Sequence, residues 1–190
     1  MGCSPQGRVT FVGDSITAGG SWKEAFPHLQ VSNQGVPGDR AIDVLARLQE
    51  VGATEARLYL LMVGINDLRR GIPPEEVAGH IGEIRQRLLQ SASPPPRVVV
   101  LSTLQCRPLP ANRAGNGCTE AVRAKVELLN RDLRRQTPQD DFLDLNAQMS
   151  PGGLLARAYT GDGIHLTTAG YRRWRTLLAP LLSRPLPPGC

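Results

Sequence analysis

The stretch Arg57 to Val63, Arg-Leu-Tyr-Leu-Leu-Met-Val, is a nearly continuous apolar run that stops at Gly64. Among segments of helical periodicity, such a run marks a central parallel strand covered by helices on both faces. Val9 to Val12, stopping at Gly13, and Val98 to Leu101 have the same character, and Gln30 to Asn33 and Asp141 to Leu145 read as shorter strands. The segments between them have helical spacing. Val77, Ile81, Ile84 and Leu88 step by four, three and four, as do Val122, Val126, Leu129 and Leu133, so each set forms one buried stripe. Ile42, Leu45 and Leu48 predict a third helix stopping near Gly52, and Tyr171, Trp174, Leu178 and Leu181 the apolar face of a last one. Ser21 to His28, ended by Pro27, and Leu154 to Tyr159 are shorter helical pieces. Strand and helix thus alternate along the chain, with no internal repeat and no linker. The prediction is an α/β fold: a single three-layer α/β/α domain over residues 1–190 with a parallel five-stranded sheet, and loose termini at 1–7 and 184–190.

Open α/β sheets bind ligands outside the carboxyl ends of their strands. Gly13-Asp14-Ser15 stands at such an end, after the first strand. Far along the chain, Asp162-Gly163-Ile164-His165 lies in a glycine-containing loop before the last helix. A nucleophilic serine needs a base, and the base needs an orienting acid. Ser15, His165 and Asp162 are therefore the candidate nucleophile, base and acid, with the turn at Gly163 allowing the carboxylate to reach the imidazole.

The chain resembles the SGNH or GDSL-type hydrolases, serine esterases and lipases marked by Ser, Gly, Asn and His. Gly13-Asp14-Ser15-Ile16 is similar to the first block of that family, with Ile16 where leucine is usual, and Asn33-Gln34-Gly35-Val36-Pro37-Gly38-Asp39 to the second. Val63-Gly64-Ile65-Asn66-Asp67 is similar to the third, and Asp162 to His165 to the last. The resemblance covers nearly the whole chain and implies a flavodoxin-like topology. It also implies an oxyanion hole made by the backbone N–H groups of Ser15 and Gly38 and the side-chain amide of Asn66, with Gly35 a competitor to Gly38 inside its block. Asp14 and Asp67 read as structural carboxylates that accept backbone N–H groups. Trp22, Arg40, Leu68, Arg69 and the loop Arg107 to Gly117 follow the blocks and are the expected substrate contacts.

Ester cleavage by these groups calls for no metal and no cofactor. The chain is aromatic-poor (4%) and has no lid-like insertion, so a shallow site for short acyl groups is expected, with a small-molecule ester as substrate. Acetyl esters of sugars or small alcohols come first and long-chain lipids second. A lysophospholipase, thioesterase or O-acyltransferase on the same residues, and a binding module without catalysis, are the alternatives. A phosphotransferase of the haloacid-dehalogenase type fails because Ile16 stands where a second aspartate is needed, and a P-loop fails for lack of Gly-Lys-Ser/Thr.

The net charge is +5, and every basic residue except Lys23 and Lys125 is arginine. No aromatic stripe accompanies that charge, so no nucleic-acid partner is expected. No apolar run reaches the ~18 residues of a membrane span, and oligomeric state has no signature in the chain. Cys106 and Cys118 bracket a Pro/Gly/Asn-rich loop; a bridge between them and a pair of free thiols are both open. A cytoplasmic location is expected, with secretion or a periplasmic location left open.

Overall fold

The computed structural model describes residues 7–110 and 115–183. The terminal segments expected to be loose therefore lie, apart from Gly7, outside the described residues. Five strands, β1 (Arg8–Gly13), β2 (Gln30–Gly35), β3 (Leu58–Met62), β4 (Arg97–Leu101) and β5 (Phe142–Leu143), form one sheet in the order β2-β1-β3-β4-β5, every pair parallel. All five residues of β3 are buried, which is why an unbroken apolar run was needed there. The helices, in chain order, are α1 (Ser15–Ala18), α2 (Trp22–Ala25), α3 (Ala41–Ala46), α4 (Leu48–Gly52), α5 (Ile65–Arg69), α6 (Pro74–Leu89), α7 (Glu120–Gln136), α8 (Asn146–Met149) and α9 (Thr168–Leu182). The strand order is that of the flavodoxin-like doubly wound sheets, and its reversal between β1 and β3 opens a crevice at their carboxyl ends.

The stripes of α6 and α7 are buried as their spacing requires. The helix expected around Ile42, Leu45 and Leu48 differs. It breaks at Arg47 into α3 and α4, and the buried residues are Ala41, Val44, Leu48 and Val51, while Ile42 is 40% exposed. Along α9, Trp174, Leu178 and Leu182 are buried and Tyr171 and Leu181 only partly so. Leu154 to Tyr159 contains a 3-10 turn at Arg157–Tyr159. β5 is shorter than expected because the chain turns away after Leu143: Ser102 Oγ accepts the N–H of Leu145 at 2.9 Å, and Asp144 Oδ1 accepts that of Asn146 at 3.0 Å. Cys106 and Cys118 are joined by a disulfide, with Cα atoms 5.8 Å apart.

Candidate active site

β1 and β3 can end side by side only because Gly13 has no side chain: a Cβ there would lie 2.1 Å from the carbonyl oxygen of Met62 and 2.4 Å from Thr17 Oγ1. Asp14 then caps α1, its Oδ1 accepting the N–H of Ile16 at 2.9 Å, and places Ser15 as the first helical residue. A helix of one turn does not stand alone. Three side chains hold the carbonyls that α1 leaves over: the Tyr171 hydroxyl donates to Ile16 (2.8 Å), Trp22 Nε1 to Thr17 (2.8 Å), and Asn33 Nδ2 to Thr17 (3.2 Å) and Ala18 (3.1 Å).

The loop before α9 brings the other half of the site. Ser15 Oγ lies 2.9 Å from His165 Nε2, and His165 Nδ1 lies 2.6 Å from Asp162 Oδ2. The second carboxylate oxygen of Asp162 accepts the N–H groups of Ile164 (2.9 Å) and His165 (2.7 Å), which closes a tight turn at Gly163. Burial pulls the Asp162 carboxyl upward, but the hydrogen bonds from the His165 ring and from these two N–H groups outweigh it and hold the group below the usual carboxylate range. Hydroxyl, imidazole and ionised carboxylate in this line form the arrangement that removes a proton from a nucleophile.

The loop after β2 carries Gly38 in a turn closed by the Asp39 N–H on the Val36 carbonyl (3.2 Å), with φ +87° and open space where a side chain would be. Gly35 is placed differently. A Cβ on it would meet the backbone N of Ala18 at 2.3 Å, so Gly35 lets β2 approach α1, whereas Gly38 is exposed beside the site. Asn66 Nδ2 donates to the carbonyl of Asp39 at 3.0 Å, and both carboxylate oxygens of Asp67 accept the N–H of Ala41 at 3.1 Å. These two residues tie the Gly38 loop to the end of β3. The carboxyls of Asp14 and Asp67 are buried; burial pushes the first up to about 7 and the second to about 6, against the pull of the N–H groups they accept. The Tyr171 hydroxyl is pushed up to about 12 by burial and by the charge of Asp14.

The expected substrate contacts divide. Trp22 is 2% exposed; it stacks on Phe11 at 4.2 Å and meets Trp174 edge-on at 4.8 Å, so it is a core side chain that braces α1. Leu68 is 1% exposed and faces the core from α5. Leu68 has no surface to offer a ligand, and Trp22 shows only its 2%, in the groove between α2 and α9. Both were expected from nearness in sequence, and the structure turns them inward. Arg40 opens α3 with its guanidinium on Asp43 (2.8 and 2.9 Å). Arg69 is exposed, one turn beyond Asn66, with its guanidinium against Gly117 of the bridged loop; residues 111–114 of that loop lie outside the described residues. A groove of about 420 Å³ between α2 and α9 is lined by Gly19, Ser21, Trp22, Leu166, Tyr171 and Arg175 but by neither Ser15 nor His165, and is a neighbour of the site rather than part of it.

Arg47 had no motif to announce it. Its guanidinium donates to Asp39 Oδ2 (2.8 Å) and to the carbonyl of Gln34 (2.9 Å), and it reaches that of Gly13 (3.4 Å). It thereby joins the ends of β1 and β2 to the Gly38 loop. Among the described residues, no cluster of three or more His, Cys, Asp or Glu side chains could hold a metal ion, and no helix is long and apolar enough to cross a membrane.

Known proteins share this arrangement of chain. The model of the GDSL-like lipase/acylhydrolase family matches residues 11–173. The chain is 30% identical over 185 residues to platelet-activating factor acetylhydrolase IB subunit alpha1 of Bos taurus and of Homo sapiens, covering 93% of this chain and 77% of theirs. Solved structures with the same fold include a GDSL-like lipase from Bacteroides thetaiotaomicron (TM-score 0.78, 22% identity, 92% of this chain and 87% of that one). Another is a variant of an acetyl-xylooligosaccharide esterase from Geobacillus stearothermophilus (TM-score 0.71, 17% identity, 94% of each chain). At such identities the solved structures speak to fold alone. The family model and the acetylhydrolase relatives speak to descent, and on them the chain belongs to the GDSL-like lipase/acylhydrolase family and is a hydrolase of ester bonds.

Proposed function

We propose that the protein hydrolyses short-chain carboxylic esters through an acyl-enzyme on Ser15. The observation that carries this reading is the continuous line of contacts Ser15 Oγ, His165 Nε2, His165 Nδ1 and Asp162 Oδ2, at 2.9 and 2.6 Å. As Ser15 Oγ adds to the ester carbonyl, its proton passes to His165 Nε2, and Asp162 keeps the other ring nitrogen protonated and pointed inward. The oxyanion is met by the N–H groups of Ser15 and Gly38 and by an N–H of the Asn66 amide. One hydrogen of that amide is engaged by the Asp39 carbonyl, which aims the group and leaves the second for the substrate. His165 then gives its proton to the departing alcohol, takes another from water, and the second addition frees the acid and restores Ser15.

Acetyl is the favoured acyl group. The relatives' name supports it, for the platelet-activating factor acetylhydrolases act on an acetyl group by name. Val36 and Ile42, which flank Gly38 in sequence, are two of the three large apolar side chains left exposed among the described residues, and they supply a small apolar rim rather than a tunnel. The Cys106–Cys118 bridge supports an oxidising compartment over the cytoplasm.

Hydrolysis of nitrophenyl acetate and of a long-chain nitrophenyl ester, by the native chain and by Ser15→Ala, tests the reading. The acetyl ester is expected to be cleaved faster, and the substitution to remove at least ~10³ of the rate. Equal rates in the two proteins would remove the acyl-enzyme, and a preference for the long ester would remove the short-acyl assignment.

A further inference from the structure

Asp162 and His165 stand on a surface loop with their side chains 52% and 51% exposed, yet the serine needs that imidazole held to a fraction of an ångström. The bonds within the turn fix the two residues to each other: Ile164 and His165 donate to Asp162, and the Gly163 N–H donates to Thr160 Oγ1 at 2.8 Å. They do not fix the turn to the sheet. That attachment comes from the segment leaving β4. The Arg107 N–H donates to the carbonyl of Gly163 at 2.8 Å, and Asn116 Nδ2 donates both to the carbonyl of Asp162 at 2.7 Å and to that of Arg107 at 2.9 Å. Asn116 Oδ1 in turn accepts the N–H of Cys118 at 3.0 Å, and Cys118 is bonded to Cys106, the neighbour of Arg107. Both half-cystines are buried, at 1% and 6% exposure. The fit leaves no slack: at Gly163, with φ +84°, a Cβ would lie 2.0 Å from the carbonyl oxygen of Arg107 and 2.3 Å from Asn116 Nδ2.

We propose that Asn116, held in place by the Cys106–Cys118 bridge, is a positioning residue that fixes the Asp162–His165 turn against the body of the enzyme. It touches neither Ser15 nor the ester. Asp162 is gripped from two sides, its carboxylate by His165 and its carbonyl by the Asn116 amide, and the bridge sets where that amide stands. The inference rests on the hydrolase reading above and deepens it.

The amide has two functions that substitution separates. Asn116→Asp keeps an oxygen to accept the Cys118 N–H and loses both donors, while Asn116→Ala loses everything. A positioning role requires both variants to be slow, with kcat on nitrophenyl acetate lowered about tenfold or more and KM little changed. Modification of Ser15 by a fluorophosphonate, which reads serine activation without a substrate, is expected to slow in parallel. The Cys106→Ala/Cys118→Ala variant is expected to fall in the same direction. Rates are compared per titrated active site, so a lower folded fraction does not imitate the effect. If Asn116→Asp turns over and labels like the native chain, Asn116 merely shapes its own loop and the proposal is overturned. Ser15→Ala, measured alongside, keeps the two failures apart. Activity surviving in Ser15→Ala overturns the acyl-enzyme on Ser15 and this proposal with it, whereas loss there with native rates in both Asn116 variants overturns this proposal alone.

Discussion

Asp14 and Ser15 are chain neighbours with opposite relations to water. Ser15 is half-buried at the crevice, whereas Asp14 is 1% exposed, and its carboxyl is pushed from 3.8 to about 7. Between those values the folded chain keeps a proton that the unfolded chain releases, so this group makes stability fall as the pH rises through the window and level off above about 7. Asp67, pushed to about 6, acts with the same sign over a narrower range. Asp162 acts with the opposite sign, because its depressed carboxyl adds stability that is lost as the pH falls. Asn at position 14 can still accept the Ile16 N–H and has nothing to ionise. Unfolding free energies from urea denaturation at pH 4.5 and pH 8 are therefore expected to differ less in Asp14→Asn than in the native chain, by an amount on the order of a few kcal/mol. An unchanged pH dependence would show that the buried carboxyl is not the source. Glycines permit a second contrast at this scale. Gly35→Ala drives a methyl into the backbone of α1 and is expected to lower both stability, by ~1–3 kcal/mol, and the rate of Ser15 modification. Gly38→Ala meets no atom and carries only the strain of φ +87°, about 1 kcal/mol, in a thermal melt.

At the scale of elements, the site stands on two helices too short to persist by themselves: α1 is welded in place by the side chains of Trp22, Asn33 and Tyr171, and α5 by its own Asn66 and Asp67, which bind the backbone of Asp39 and Ala41. Arg47 is the clearest weld. Its guanidinium and Asp39 are 15% and 13% exposed, and its bonds reach two strand ends and the Gly38 loop. Arg47→Met is expected to cost ~2–3 kcal/mol in denaturant unfolding and to lower kcat, because Asp39 then no longer anchors the carbonyl that aims Asn66. Arg47→Lys is expected to restore little, since one ammonium cannot span those acceptors. This weld also explains what could be read in advance. α6 and α7 run four turns or more with one apolar stripe, so periodicity located them and their buried residues. α1 and α5 last about a turn, too short for any period to show, and were visible only through the motifs they carry. The stripe through Ile42 was misplaced because the break at Arg47 rotates the register, and that break is set by carbonyls brought from β1 and β2 rather than by neighbours in the chain. Ser15, Asp162 and His165 were legible because chemistry demanded those types together. Trp22 and Leu68, expected at the substrate, are buried, because adjacency to a motif says nothing about which face a side chain takes.

Over the whole molecule, the sheet brings together groups that the chain keeps far apart. The contact between Ser15 and His165 closes 150 residues, and α9 reaches it across α1 and α2 through Tyr171 and Trp174. Closing so long a loop is entropically late, after the nearer strand pairs have formed. The two tryptophans of the chain, Trp22 and Trp174, touch across that junction, so their fluorescence reports the docking of α9. In stopped-flow refolding, regained esterase activity is expected to follow the tryptophan signal rather than the earlier far-ultraviolet dichroism, and activity that appears with the dichroism would contradict this order. The same distance has a meaning during synthesis. A ribosome adds His165 150 residues after Ser15, so a nascent chain that has not yet reached His165 carries the serine without that imidazole. Esterase activity on polysomes is then expected only from chains that already include His165, and the order of synthesis keeps the shorter ones inactive.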